Sequence, residues 1–137
     1  MLSINLVYQQ RLWYSFFWET KRRKSVLVGS IREKLEQLIN DAAAEKGFEV
    51  GKRVIYPNAV YLELGVDPKV APHNALAHVR ARTSGALRSH FPELKKLPSL
   101  WTRDYVVYNQ RVDETTLGSL SRWISEKKRS IKAKYTR

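Results

Sequence analysis

The chain has 137 residues, 43% of them hydrophobic, as expected of one globular domain with a packed core. It has no cysteine, which excludes disulfides, thiolate catalysis and cysteine-ligated zinc, and no apolar run of about 18 residues predicts a membrane span. Its 25 lysines and arginines outnumber 13 acidic residues, giving a net charge of +12, so nucleic acid is the favoured partner. We expect a single cytoplasmic domain over residues 1–137.

The first part of the chain predicts a strand, a basic turn and a helix. The aromatic-rich residues 6–19 predict the strand, and the stretch TKRRKSVLVG follows it. Ser30 and Glu33 have the spacing of a capping box. The helix that begins there has apolar residues at helical spacing for about 17 residues and ends at Gly47.

The middle of the chain predicts a β-hairpin and a second helix. Residues 48–66 contain two strand patterns separated by a Pro-Asn turn, with Gly51 at a bulge or turn. The second helix spans about residues 72–90, because Pro72 suits its first turn and the residue before Pro92 is disfavoured in a helix.

The last part predicts a loop, a strand and a basic helix. Trp101 is expected to anchor the loop, and residues 104–112 predict the fourth strand. The final helix begins near Asp113 or Thr115, and from residue 121 onward it carries seven basic residues and one acidic residue.

The predicted order β-α-β-β-α-β-α indicates an α+β fold. Its first six elements follow the ferredoxin-like split βαβ plan, with a four-stranded antiparallel sheet, two helices on one face and an added basic C-terminal helix. RNA-recognition modules share this plan, so the fold alone leaves the function open.

Several motifs occur in a fixed order: WETKRRKSVLVG, GVDP, ARTSGALRSHFPELKK and LPSLWTRDYVV. With them the chain resembles, over about residues 8–130, the single-tyrosine HUH transposases of hairpin-ended insertion sequences, including REP-associated ones. The resemblance implies a homodimer that binds a DNA hairpin beside each target end. It also implies a divalent metal on a strand-borne His-hydrophobe-His pair, a tyrosine nucleophile on the last helix, and a polar metal ligand four residues beyond it.

The residues at the catalytic positions implied by the resemblance are all replaced. Counted back from GVDP, the two histidine positions fall on Ala59 and Tyr61, the nucleophile falls on Trp123 and the polar ligand falls on Lys127. Alanine has no metal-binding atom, tryptophan has no hydroxyl, and a lysine ammonium has no free lone pair. We therefore interpret the chain as a non-enzymatic, metal-free and cofactor-free relative that binds structured or single-stranded nucleic acid, most readily a DNA hairpin.

Three alternatives stay open. The chain could be an RNA-binding part of a ribonucleoprotein, an active transposase or nuclease with a relocated metal and tyrosine site, or a decayed copy without a role. The residues available for relocated chemistry are the histidines His73, His78 and His90, the tyrosines Tyr105 and Tyr108, and the carboxylates Glu63 and Asp67. The spacing of five between the first two histidines does not place them on one helical face, and we expect both tyrosines to pack in the sheet.

The predicted nucleic-acid contacts are basic side chains on the turn after the first strand, on the second helix, before the fourth strand and on the last helix. They are Lys21, Arg22, Arg23, Lys24, Arg80, Arg82, Arg88, Arg103, Lys127, Lys128 and Arg129. Trp123 either packs where a tyrosine would project or stacks on a base in the vacated cleft.

Overall fold

The structure is a computed structural model, and it describes residues 11–109. Its elements are β1 (Leu12–Thr20), α1 (Gly29–Glu45), β2 (Glu49–Tyr56), β3 (Ala59–Val66), α2 (Pro72–His90) and β4 (Trp101–Tyr108). Short 3-10 helices lie at Lys21–Arg23 and Pro92–Lys96. The strands form one antiparallel sheet in the order β2-β3-β1-β4, which confirms the predicted α+β, ferredoxin-like plan.

The central strand β3 is buried along its whole length, so both of its faces are covered. Val60, Leu62 and Leu64 belong to the main core between the sheet and the helices. Because side chains alternate along a strand, Ala59 and Tyr61 lie on the opposite face of the sheet.

The two helices cover one face of the sheet, as predicted. The buried side chains of α1 are Leu35, Ile39, Ala42 and Ala43, and those of α2 are Ala75, Leu76, Val79, Thr83 and Leu87. They pack against Phe16 and Trp18 of β1. The Thr83 hydroxyl donates to the Val79 carbonyl at 2.8 Å, which satisfies this polar group inside the core.

Two glycines have the structural roles that the sequence predicts, one at the end of α1 and one in β2. Gly47 has a φ of +70° just after α1 ends, a conformation that glycine adopts without steric cost. The β2–β3 register shifts between Val50 and Arg53, which confirms a bulge at Gly51. A Cβ on Gly51 would lie only 2.8 Å from Glu63 Oε1, so the close approach of β3 also requires glycine there.

Two predicted element starts are wrong. Helix α1 begins at Gly29 after the extended residue Val28, and no side chain caps it. Ser30 therefore lies inside the first turn, where it cannot act as the N-cap of a capping box. Strand β4 begins at Trp101 rather than at residue 104, because Trp101 already pairs with Thr20 of β1.

Some predicted features lie outside the described residues. They include the first residues of the predicted N-terminal strand, the end of the fourth strand and the whole last helix. Within residues 11–109, no helix combines the length and the apolar character that a bilayer crossing requires.

Candidate nucleic-acid interface

The two histidine positions implied by the resemblance lie in a small apolar cluster on the face of the sheet that α1 and α2 do not cover. Ala59 and Tyr61 are 3% and 0% exposed, and Phe17 is buried beside them. The partly buried side chains around this cluster are Val54, Tyr56 and Val106. Ala59 and the ring of Tyr61 thus pack against aliphatic and aromatic side chains.

Tyr61 is held by a buried hydrogen-bond network. Its hydroxyl lies 2.8 Å from Glu63 Oε2 and 3.1 Å from Ser15 Oγ. The other carboxylate oxygen of Glu63 accepts from the Lys52 backbone N–H at 2.8 Å, inside the β2 bulge. The carboxylate therefore joins the two strands and orients the phenol ring.

The carboxylate pair considered from the sequence is not part of a metal-ligand cluster in the structure. Asp67 is exposed, and its Oδ1 accepts from the Lys69 backbone N–H at 2.8 Å, whereas Glu63 is buried with Tyr61. Within residues 11–109 no group of three or more His, Cys, Asp or Glu side chains is arranged to hold a metal ion.

The basic turn after β1, residues 21–24, is fixed by backbone contacts in a strained conformation. The Lys21 N–H donates to the Leu100 carbonyl at 2.8 Å, and the Thr20 hydroxyl donates to the Lys24 carbonyl at 2.7 Å. Arg22 and Arg23 have φ angles of 57° and 55°, in the left-handed region that non-glycine residues rarely adopt. Such strain persists where surrounding contacts enforce it, and it is concentrated at functional sites.

The cations of this turn differ in how freely they can meet a ligand. Arg22 and Lys24 are exposed. The Arg23 Nε lies 3.2 Å from Glu19 Oε2, and the Glu19 side chain is only 5% exposed, so this ion pair ties the turn to β1. Arg22 and Lys24 are therefore better placed than Arg23 for phosphate contact.

Residues 97–103 collect most of the predicted basic sites of the described chain. The Leu100 carbonyl holds the basic turn, and the Leu97 carbonyl accepts from the Arg88 guanidinium at 3.0 Å. The Arg80 guanidinium donates to the carbonyls of Thr102 and Arg103. The structure thus brings the basic turn and three predicted arginines together around one segment.

The arginines around this segment have different roles. Arg80 is partly buried, and burial lowers its pKa, although a guanidinium keeps its charge. Its contacts with backbone carbonyls indicate that it supports the start of β4. Arg103 is exposed and forms no ion pair with the residues that the structure describes, so its charge is free to meet an anion.

Arg82 lies apart from that segment and joins the two helices. Its Nε and one terminal nitrogen bind the two carboxylate oxygens of Glu45 at 3.0 and 2.8 Å. These hydrogen bonds hold the pKa of Glu45 below its ordinary value and raise that of Arg82. His78 lies 3.4 Å from the same carboxylate and 3.0 Å from the Ala42 carbonyl oxygen.

His73 forms a pair with Tyr105 that the sequence reasoning missed. Its Nδ1 lies 3.0 Å from the Tyr105 hydroxyl, and the two rings are stacked with 6.1 Å between centroids. His90 is exposed and contacts Phe91, so the three histidines have separate partners. Tyr105 packs partly against the core, as predicted, whereas Tyr108 is 39% exposed.

Several predicted site residues lie outside the described residues. These are the positions of the nucleophile and of the polar ligand, Trp123 and Lys127, and the predicted contacts Lys128 and Arg129.

The comparisons with known proteins agree with one another. Residues 8–127 match the family model described as "Transposase IS200 like". ISDra2 transposase TnpA of Deinococcus radiodurans is 28% identical over 120 residues, covering 85% of this chain and 84% of that protein.

Two solved structures are similar to the fold. A crystal structure from Deinococcus radiodurans R1, of a protein assigned as a transposase, has a TM-score of 0.75 at 28% identity, covering 87% of this chain and 92% of that one. A REP-associated tyrosine transposase, solved bound to a REP hairpin, has a TM-score of 0.56 at 13% identity, covering 76% and 59%. With a family match over residues 8–127, the chain belongs to the IS200-like transposase family.

Proposed function

We propose that this family member binds structured or single-stranded nucleic acid, with a DNA hairpin as its main ligand, and does not cleave it. The observation that carries the proposal is the buried cluster at Ala59 and Tyr61, where the resemblance places two metal-binding histidines. A phosphodiester-cleaving site needs a polarising charge beside the phosphate, and the two positions hold an alanine and a buried tyrosine that is hydrogen-bonded to Glu63 instead.

The residues at these positions do not fit a divalent cation. Ala59 has no donor atom, and the Tyr61 hydroxyl is enclosed and hydrogen-bonded to Glu63 and Ser15. A cation there would need several oxygen or nitrogen ligands with open access. The replacement of the nucleophile position by Trp123 and of the polar ligand by Lys127 supports the same conclusion from the sequence.

The binding surface is proposed to lie around the basic turn and residues 97–103. Arg22, Lys24 and Arg103 are exposed cations on neighbouring pieces of backbone. Contacts from such side chains to phosphates position a protein on nucleic acid and give most of the affinity. The hairpin is chosen as ligand because the REP-associated transposase of the same fold was solved with one.

We propose that the protein is a homodimer, as the family resemblance implies. Two features of β4 support this proposal: it is an outer strand of the described sheet, and Val107 and Tyr108 are each 39% exposed on it. An unpaired strand edge with apolar side chains is a ready surface for a second chain. Solution mass measurement tests the dimer, and Val107→Lys is expected to give a monomer.

Binding measurements with matched oligonucleotides test the main proposal. We expect a DNA hairpin to bind more tightly than a duplex of the same composition, and the logarithm of affinity to fall linearly with the logarithm of salt concentration. Equal binding of hairpin, duplex and heparin would contradict recognition of structure. A hairpin of RNA in the same assay distinguishes the RNA-binding alternative.

One observation favours a second candidate, an enzyme with a relocated nucleophile. The His73 ring lies within hydrogen-bond distance of the Tyr105 hydroxyl, and an imidazole in that position can accept a phenolic proton. This candidate predicts a covalent protein–DNA adduct that Tyr105→Phe abolishes. A denaturing gel after incubation with the labelled hairpin and a divalent metal detects such an adduct.

A further inference from the structure

A shallow cavity of about 230 Å³ lies between α2 and β4, and the proposed function assigns no ligand to it. It is lined by His73, Leu76, Ala77, Arg80, Arg103 and Tyr105. Tyr105 pairs with Trp18 of the main core, so the cavity is on the helix-covered side of the sheet. It is therefore separate from the cluster at Ala59 and Tyr61 on the other face.

The aromatic wall of this α2–β4 pocket is a fixed platform. The His73 and Tyr105 rings are within 27° of parallel, and their hydrogen bond of 3.0 Å holds them together. Leu76 and Ala77 supply apolar surface beside them. Flat rings next to small apolar side chains suit a planar heterocycle, because such rings stack through dispersion and their electrostatic quadrupoles.

The charge at the pocket complements this apolar wall. Arg80 is fixed by the carbonyls of Thr102 and Arg103, and Arg103 itself is exposed without an ion pair in the described part of the chain. Asp104 does not line the pocket, although its carboxylate interacts electrostatically with Arg80, so Arg103 supplies the free positive charge there. The pocket thus combines a neutral stacking surface with positive charge, and a nucleotide combines a planar base with a phosphate.

The pocket is also continuous with the proposed interface. Arg103 lines it and lies only three residues from Leu100, whose carbonyl holds the basic turn at Lys21. Three residues of strand span about 10 Å, so a strand that contacts the turn can reach the pocket.

We propose that the α2–β4 pocket binds one unpaired nucleotide of a DNA strand, with its base against Tyr105 and His73 and its phosphate toward Arg103. The inference rests on the proposed function, because the nucleotide belongs to a single-stranded flank or loop of the bound hairpin. Such a pocket would distinguish a hairpin with an unpaired nucleotide beside its stem from a fully paired one.

The test compares one hairpin with and without a short single-stranded flank. The flank is expected to raise the affinity of the unaltered protein by about 5- to 140-fold, the range that stacking of one base on an aromatic side chain gives. Tyr105→Leu removes the ring but keeps apolar volume, and it should abolish that increase while leaving binding of the flankless hairpin unchanged. His73→Ala, at an exposed position, should reduce the increase too.

Two substitutions serve as matched controls. Tyr105→Phe keeps the stacking ring, and His90→Ala removes an exposed aromatic ring at the other end of α2, so both should retain the increase. Circular dichroism and thermal melting check that each variant is folded. An increase that survives in folded Tyr105→Leu, or that disappears in His90→Ala alone, would overturn the proposal.

Photocrosslinking locates the nucleotide directly. With 5-iododeoxyuridine in the flank, the crosslinked peptide is expected to contain Tyr105 or His73, and an adduct confined to another region would overturn the pocket. If short oligothymidine crosslinks to Tyr105 but the protein does not bind the hairpin, nucleotide binding in the pocket is supported. Only the proposal that the ligand is a hairpin is then contradicted. If the hairpin binds equally well with and without the flank, only the proposal that the pocket binds an unpaired nucleotide is contradicted.

Discussion

Two tyrosines of this protein lie on opposite faces of one sheet and have opposite surroundings. Tyr61 on the central strand β3 is fully buried and its hydroxyl joins Glu63 and Ser15, whereas Tyr105 on the outer strand β4 is only partly buried and lines an open pocket. Strand position explains the difference, because in the sheet formed by residues 11–109 β3 has a neighbour on each side and β4 has one. The position that the resemblance assigns to a metal ligand now serves stability, and the accessible tyrosine lies elsewhere.

The largest expected effect is the loss of folding stability when the buried tyrosine, rather than the accessible one, is removed. Tyr61→Ala should lower the free energy of unfolding by about 3–5 kcal/mol, since it removes a fully buried aromatic ring and leaves a cavity. Tyr105→Ala should cost clearly less, because part of its ring is already in water. Urea denaturation of both variants measures the difference, and equal losses would refute the distinction between the two faces.

Two glycine substitutions test how tightly the surroundings of Glu63 and Tyr61 are packed. Gly51→Ala should lower the free energy of unfolding by about 1–3 kcal/mol, because the new Cβ must displace the Glu63 carboxylate or the Trp13 ring. Gly85→Ala on α2 meets no atom within 4 Å and should raise it by about 0.5–1 kcal/mol through helix propensity. Thermal melting checks both signs, and a stabilising Gly51→Ala would show that the bulge is loosely packed.

A substitution in the strained basic turn should change folding stability and hairpin affinity in opposite directions. Arg22→Gly relieves a left-handed backbone conformation and should raise the free energy of unfolding by about 1 kcal/mol. The same change removes an exposed cation, so hairpin affinity should fall and its salt dependence should weaken. Arg32→Ala on α1 is the charge-matched control, and it should leave affinity nearly unchanged. A stabilised variant with undiminished affinity would place the DNA away from this turn.

The smallest expected effect concerns the link between the helices. The Arg82 hydrogen bonds hold the pKa of Glu45 low, so the stabilisation is present above the unfolded-state pKa and is lost as pH falls through the folded-state pKa. Glu45→Gln should therefore narrow the difference in melting temperature between about pH 6 and about pH 3. An unchanged pH dependence would mean that solvent screens this exposed pair completely.

The sequence predicts the elements most closely where apolar periodicity and proline agree. The bounds of β3 and α2 follow from strict alternation in one case and from Pro72 and Pro92 in the other. The capping box at Ser30 fails because capping depends on backbone geometry that residue spacing does not specify. The pairing of β4 with β1 at Trp101 is likewise a tertiary contact without a local pattern.

The candidate site is only partly predictable for the same reason. The basic turn and the replaced positions at Ala59 and Tyr61 are local features of the sequence. The contact of His73 with Tyr105 joins residues 32 positions apart and depends on how α2 lies across β4. The ion pair of Arg82 with Glu45 also depends on helix packing, so the sequence could not show that this predicted DNA contact is already engaged.

We propose above that the protein binds a hairpin and leaves it intact. The most direct measurement incubates the end-labelled hairpin with the unaltered protein and Mg²⁺ or Mn²⁺, then analyses it on native and denaturing gels. We expect a retarded complex on the native gel and an unbroken, protein-free strand on the denaturing gel. A metal-dependent nick or a covalent protein–DNA species would contradict it, and loss of that species in Tyr105→Phe would identify the nucleophile.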